Sequence, residues 1–147
     1  MSEDASSGFY VVGIGASAGG LEALETFFDN MPMSERYAFV VVQHLSPDYK
    51  SLMAELLTKH TEFAIYQAED GISVEPGAIY LIPRKRNMTM YQGRLFLTEQ
   101  EQGLNLPIDI FLTSLAEDAG ERAIAVILSG TGSDGTRGVR AIKEFGG

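Results

Sequence analysis

The sequence predicts an α/β domain: a doubly wound, mostly parallel sheet of three-layer, Rossmann-like build, with a short antiparallel hairpin at its edge. Three observations predict it. Apolar runs rich in β-branched and aromatic residues recur at 9–14, 37–43, 78–82 and 123–128. Stretches whose apolar residues repeat at helical spacing lie between them. Two of the runs lead into turns dense in glycine, at 13–20 and 129–135. Carboxyl ends of parallel strands are where open α/β sheets hold their chemistry.

The 147 residues make one domain, 9–147, behind a loose acidic tail at 1–8. Apolar residues make up 45% of the chain, enough for a buried core. There is no cysteine, which excludes disulfides, thiolate metal sites and a catalytic thiol. A formal net charge of -9 argues against nucleic acid as a partner. The polar N-terminus does not read as a secretory signal, and no apolar run is long enough to span a membrane. A cytoplasmic location is expected.

Each element follows from local pattern. After strand 9–14, a helix starts near Ala18 and carries Leu21, Leu24, Phe27 and Phe28 on one face, until Asn30 and Pro32 stop it. Strand 37–43 is almost wholly apolar, as in a strand covered on both faces, and delivers His44. A short helix follows at 51–59, then a strand at 63–66 and a buried strand at 78–82. Residues 87–91 and 94–98 flank Gln92-Gly93 and read as a hairpin on the sheet edge. Pro107 opens a helix with Ile108, Phe111, Leu112 and Leu115 inward and Gly120 as its cap. Strand 123–128 reads as buried on both faces. A last helix carries Val139, Ile142 and Phe145 and ends at Gly146-Gly147.

Three chemistries fit the first glycine turn. Gly13-x-Gly15-x-x-x-Gly19 resembles a dinucleotide-binding turn, whose glycines let the backbone approach a pyrophosphate. Gly15-Ala16-Ser17-Ala18-Gly19 matches the G-x-S-x-G elbow that exposes a nucleophilic serine. A plain tight turn needs the same small residues. The dinucleotide option also requires an acid or an arginine at the end of the second strand, where Gln43-His44 stands.

Three strand ends carry reactive side chains: Ser17, His44 and Asp134. A serine needs an adjacent base. The chain has two histidines. His60 sits beside Lys59, Thr61 and Glu62 and reads as a solvated helix-terminal residue, which leaves His44 as the base. Asp134 suits the role of holding the imidazole, though aspartate in Ser133-Asp134-Gly135-Thr136 also suits a cap or a turn. The order Ser, His, Asp differs from that of α/β-hydrolases. Arg84-Lys85-Arg86 is a basic run in an acidic chain, either a solvated turn or a lip for an acidic partner.

Gly15-Ala16-Ser17-Ala18-Gly19-Gly20, Gln43-His44-Leu45-Ser46-Pro47 and Ser129-Gly130-Thr131-Gly132-Ser133-Asp134-Gly135, in this order and spacing, resemble the catalytic domain of the bacterial chemotaxis methylesterase family (CheB type) over about residues 10–147. The resemblance implies hydrolysis of glutamyl methyl esters on chemoreceptor helices, with glutamine deamidation in some members. It implies a triad of Ser17, His44 and Asp134, with no cofactor and no metal. Oxyanion donors are expected near Gly15, Ala18, Gly19, Gly130 and Thr131. Two positions depart from the common pattern: Thr131 stands where the family has methionine, and Ala18 where it has threonine. A phospho-receiver domain is absent from the 147 residues, and the style of 43–86 resembles the esterase module of methylesterase/methyltransferase fusions. The family continues past Gly147, so the domain is expected to be incomplete there. A catalytically silent signalling domain is the alternative, and a dinucleotide-binding module a weaker one.

Overall fold

The computed structural model describes residues 8–17, 20–43, 53–101, 105–128 and 133–147. The doubly wound α/β architecture is the one expected. Five parallel strands form the main sheet: β1 (Tyr10–Ala16), β2 (Tyr37–Gln43), β3 (Ala64–Gln67), β5 (Ala78–Leu81) and β8 (Ala123–Ile127), in the spatial order β3-β5-β2-β1-β8. Helices α1 (Leu21–Asp29) and α2 (Met53–Leu57) cover one face. Helices α3 (Pro107–Ala119) and α4 (Thr136–Glu144) cover the other. From β1 the chain winds outward on one side, then returns to place β8 on the other. The order therefore reverses between β1 and β8, the crevice where such sheets bind ligands.

Alternation along the strands sorts the core into two layers. Val12, Ile14 and Ala16 of β1 join Phe39 and Val41 of β2 beneath α1. Phe28 and Phe39 there meet edge to face at 5.1 Å, and Phe39 meets Phe63 in the same way at 5.2 Å. Val11 of β1 joins Ala38, Val40 and Val42 of β2 beneath α3, which presents Ile108, Phe111, Leu112 and Leu115. With both faces covered, β2 and β5 are buried along their whole apolar length.

Four expectations need correction. Strand β1 runs to Ala16, past the expected end at Ile14, so Gly15 lies inside it with Gly13 and not in the turn. A Cβ on Gly13 would come within 2.7 Å of Leu112, and one on Gly15 within 2.7 Å of Ile108. These glycines let α3 lie close against the sheet. The hairpin, β6 (Arg86–Tyr91) and β7 (Arg94–Glu99), does not extend the parallel sheet. It pairs with β4 (Ile72–Ser73), a two-residue strand absent from the expected elements, in a separate antiparallel sheet. Helix α3 draws it away: the Met90 N–H donates to Ser114 Oγ at 2.9 Å, and the Gln92 and Gly93 N–H groups donate to the Asp118 carboxylate. Strand β8, expected to be buried on both faces, has only Ala123 fully buried. Phe145, expected on the last helix, lies just past its end at Glu144 and is 48% exposed.

Other local signals hold. Gln92 and Gly93 both take positive φ in the hairpin turn, as a two-residue turn of the mirror-image type requires. Gly120 caps α3 with φ 57 and donates its N–H to Ala116. The Tyr80 hydroxyl accepts the Glu75 N–H and donates to the Ser73 carbonyl, closing the loop after β4. Burial is the main reason its phenol is pushed above the ordinary value.

Helix α4 packs on α3 through Gly138. A Cβ there would sit 2.5 Å from Leu112 Cβ, an atom fixed to the main chain of α3. Gly138→Ala should therefore destabilise the protein by about 1–3 kcal/mol, because overpacking outweighs the gain of up to about 1 kcal/mol in helix propensity. Urea unfolding checks this, and an unchanged or raised midpoint would contradict the packing.

Candidate active site

The candidate serine leaves the sheet at the carboxyl end of β1, between β2 and β8. Ser17 follows the last residue of β1 and is half-buried. Its carbonyl oxygen accepts two hydrogen bonds: the Gly20 N–H at 2.9 Å closes the turn, and the Gln43 side-chain amide donates at 2.8 Å from the end of β2. Gly20 is then the cap of α1, accepting the Leu24 N–H. The turn permits no larger residue at Gly20, where a Cβ would approach both Ala16 Cβ and the Ser17 carbonyl at 3.0 Å. Strand, turn and helix are thus held by main-chain groups and by one buried glutamine.

Register determines which chain ends sit beside this serine. Ala16 of β1 pairs with Gln43 of β2, so both strands reach the carboxyl edge at the same level. On the other side Gly15 pairs with Ile127, and its carbonyl accepts the Leu128 N–H at 2.8 Å. Adjacent strands lie about 4.8 Å apart. The segments after β1, β2 and β8 therefore start as neighbours. His44 follows Gln43 directly in sequence but lies outside the described residues, as do Ala18, Gly19, Gly130 and Thr131. Gly15 is inside β1, not in the turn where an oxyanion donor was expected.

Asp134 is buried, 3% exposed. It does act as a cap, though for a different helix from its own. Its Oδ2 accepts the Ile108 N–H at 3.0 Å and its Oδ1 the Asp109 N–H at 2.8 Å. Helix α3 has no side-chain cap at Leu106, and Pro107 has no N–H to satisfy, so Asp134 takes the first two donors that need a partner. Asp109 returns the arrangement. Its carboxylate, also buried, accepts the Gly135 N–H at 3.0 Å and the Gly138 N–H at 2.7 Å, at the start of α4. A carboxylate has about four acceptor sites, so capping two donors does not exhaust Asp134.

His60 is committed elsewhere. Its Nδ1 lies 2.8 Å from Asp29 and its Nε2 3.5 Å from Glu25. Both carboxylates belong to the second half of α1, away from the Ser17 turn. His60 is therefore no base for Ser17, although it is a bridging residue and not merely a solvated one. Arg84, Lys85 and Arg86 are exposed on the turn that follows β5, at the same carboxyl edge of the sheet. Lys85 takes φ 62, and its carbonyl accepts the Gln100 N–H.

Sequence patterns alone gave no role to Gln43 or Asp109. Gln43 is polar at the end of an apolar strand, a signal for a buried hydrogen bond. Asp109 looks like an ordinary first-turn acid favoured by the helix dipole. Among the described residues no cluster of His, Asp and Glu is placed to hold a metal ion. None of their helices is long and apolar enough to cross a membrane.

Comparison with known proteins agrees with this geometry. The chain is 33% identical over 153 residues to a protein-glutamate methylesterase/protein-glutamine glutaminase of Thermotoga maritima, covering 100% of this chain and 44% of that protein. It is 32% identical to the protein of the same name from Escherichia coli K12, covering 92% of this chain and 40% of that one. A 104.1 kDa uncharacterized protein of Rhodobacter capsulatus is 46% identical over 96 residues, a tenth of its length. The chain thus spans less than half the length of these relatives. The crystal structure of the Thermotoga maritima CheB methylesterase catalytic domain superposes with a TM-score of 0.80 at 32% identity, covering 95% of this chain and 77% of that one. A family model described as CheB methylesterase matches residues 12–147, all but the first two residues of the sheet, and the chain belongs to the CheB methylesterase family.

Proposed function

We propose that this chain is a serine esterase domain that hydrolyses glutamyl methyl esters on chemoreceptor helices, with glutamine deamidation as a related activity. The observation that carries this is the family match over 12–147, joined to a serine seated where β1 meets the chain reversal of the sheet. The Ser17 hydroxyl attacks the ester carbonyl while neutral His44 takes its proton. Collapse of the tetrahedral intermediate expels methoxide, which leaves as methanol with the proton from His44. Water then attacks the glutamyl ester on Ser17, again with His44 as base, and glutamate is released. Asp134 orients the imidazole and stabilises its cationic form. On a glutamine, ammonia leaves in place of methanol.

The interlocked caps support the role of Asp134, since an orienting carboxylate must itself be fixed. Backbone donors around residues 18–19 and 130–131 stabilise the oxyanion in this scheme. The basic turn at Arg84-Lys85-Arg86 suits an acidic receptor surface. The alternative is a silent binding domain. A dinucleotide site has lost its basis, because Gly13 and Gly15 are occupied by the packing of α3.

Rapid labelling of Ser17 by a fluorophosphonate probe, with methanol release from methyl-esterified receptor fragments, separates the esterase from the silent domain. Ser17→Ala should abolish both, and a variant retaining more than about a tenth of the rate would exclude Ser17 as nucleophile. Hydrolysis should rise with pH as the imidazole loses its proton, because only the neutral ring accepts the serine proton. A flat profile would require another base.

Stability should divide the same residues differently. Ser17→Ala should cost less than about 1 kcal/mol, since the turn is held through the Ser17 carbonyl. Asp134→Ala should cost about 2–3 kcal/mol, because two buried helix donors lose a charged acceptor. Denaturant midpoints measure both, and equal losses would contradict the capping role.

A further inference from the structure

We infer that Asp109 is a positioning residue for Asp134, and through it for the base of the reaction; this rests on the esterase reading above. The inference comes from a closed ring of hydrogen bonds. The Asp134 Oδ1 accepts the Asp109 N–H at 2.8 Å, and the Asp109 Oδ1 accepts the Gly135 N–H at 3.0 Å. The Gly135 N–H belongs to the peptide that leaves Asp134. Asp109 therefore grips the main chain from which the Asp134 side chain projects, while Asp134 grips the main chain of Asp109. Gly135 takes φ 109, a conformation suited to glycine, so the backbone here depends on its partners for its direction. The second bond of Asp109, to the Gly138 N–H at 2.7 Å, anchors that peptide to the first turn of α4.

Burial makes the arrangement specific. Asp109 is 7% exposed, on a helix whose neighbouring positions, Ile108 and Phe111, are core. A first-turn acid serving only the helix dipole would stay in solvent. This one is turned inward onto a different helix. The pair of carboxylates ties the first turn of α3 to residues 134–138 through four hydrogen bonds.

The test compares the wild type with Asp109→Ala, Asp109→Asn and Leu95→Ala. Leu95 is buried in the small sheet, away from Ser17, and its variant controls for lost stability alone. Each protein is assayed at the same interval below its melting temperature. Fluorophosphonate labelling of Ser17 should slow by about 100-fold in Asp109→Ala, since small misplacements in a catalytic array have effects of this size. Asp109→Asn keeps an acceptor but loses the charge-assisted bond, and should label between about twofold and tenfold slower than wild type. Leu95→Ala should label within about twofold of wild type. The second readout is amide hydrogen exchange at Ile108, whose N–H is held by Asp134 Oδ2. It should speed up by about tenfold or more in Asp109→Ala, by less in Asp109→Asn, and little in Leu95→Ala.

Unchanged exchange at Ile108, or labelling in Asp109→Ala no slower than in Leu95→Ala, would overturn the inference. Should Asp109→Ala not fold, Asp109→Asn decides: wild-type labelling and exchange would overturn it. The exchange readout does not require a reactive serine. A wild-type protein that fails to label would sink the esterase reading, and exchange would still decide whether Asp109 places Asp134.

Discussion

Helix α3 lies against β1 more closely than side chains ordinarily permit, and most of the molecule depends on that approach. Gly13 and Gly15 give up their Cβ atoms to Leu112 and Ile108. The approach seats the start of α3 over the carboxyl ends of β1 and β8. There its unsatisfied donors meet a side chain arriving from beyond β8, Asp134. The other flank of α3 holds the small antiparallel sheet through Ser114 and Asp118. Helix α4 then closes on α3 through a third missing Cβ, at Gly138. One helix, read from its four neighbours, positions the edge of the sheet, the hairpin and the aspartate.

The parallel sheet was legible because its signals are local. β2 and β5 are continuous apolar runs, and Pro107 and Gly120 mark the limits of α3. The misreadings share one cause, a partner distant in sequence. Glycine in isolation is a turn residue, and only Ile108 and Leu112 reveal Gly13 and Gly15 as strand residues that accept a helix. The hairpin was legible as a hairpin, but its place was not, since Ser114 and Asp118 on α3 hold it away from the parallel edge. β8 has the composition of a central strand and the position of an outer one. Of the candidate site, Ser17 and Asp134 were legible as reactive types at strand ends. The grip of Gln43 on the Ser17 carbonyl and that of Asp109 on Gly135 were not, because neither leaves a spacing pattern.

Asp134 shows that a bland and a functional assignment need not compete. A carboxylate at a strand end was weighed as either a cap or a member of a triad. It is a cap, in trans, for the helix that builds the core. The same bonds that satisfy α3 also remove the freedom of the side chain, and an orienting group needs that loss. In the proposed triad, structure and chemistry would draw on different acceptor sites of one group. The Ser17 turn is held through the main chain, because the Ser17 carbonyl accepts from Gly20 and Gln43.

The outer position of β8 also bears on colloidal behaviour. An edge strand offers unpaired donors and acceptors to any other strand. This one carries Ile127, 40% exposed. Long-range repulsion from a formal charge of -9 holds such surfaces apart in dilute buffer. Salt shortens that repulsion to about 8 Å at physiological strength and strengthens apolar contact at higher concentrations of sulfate. Within the 147 residues, edge-to-edge association at β8 is thus opposed by net charge and favoured by salt.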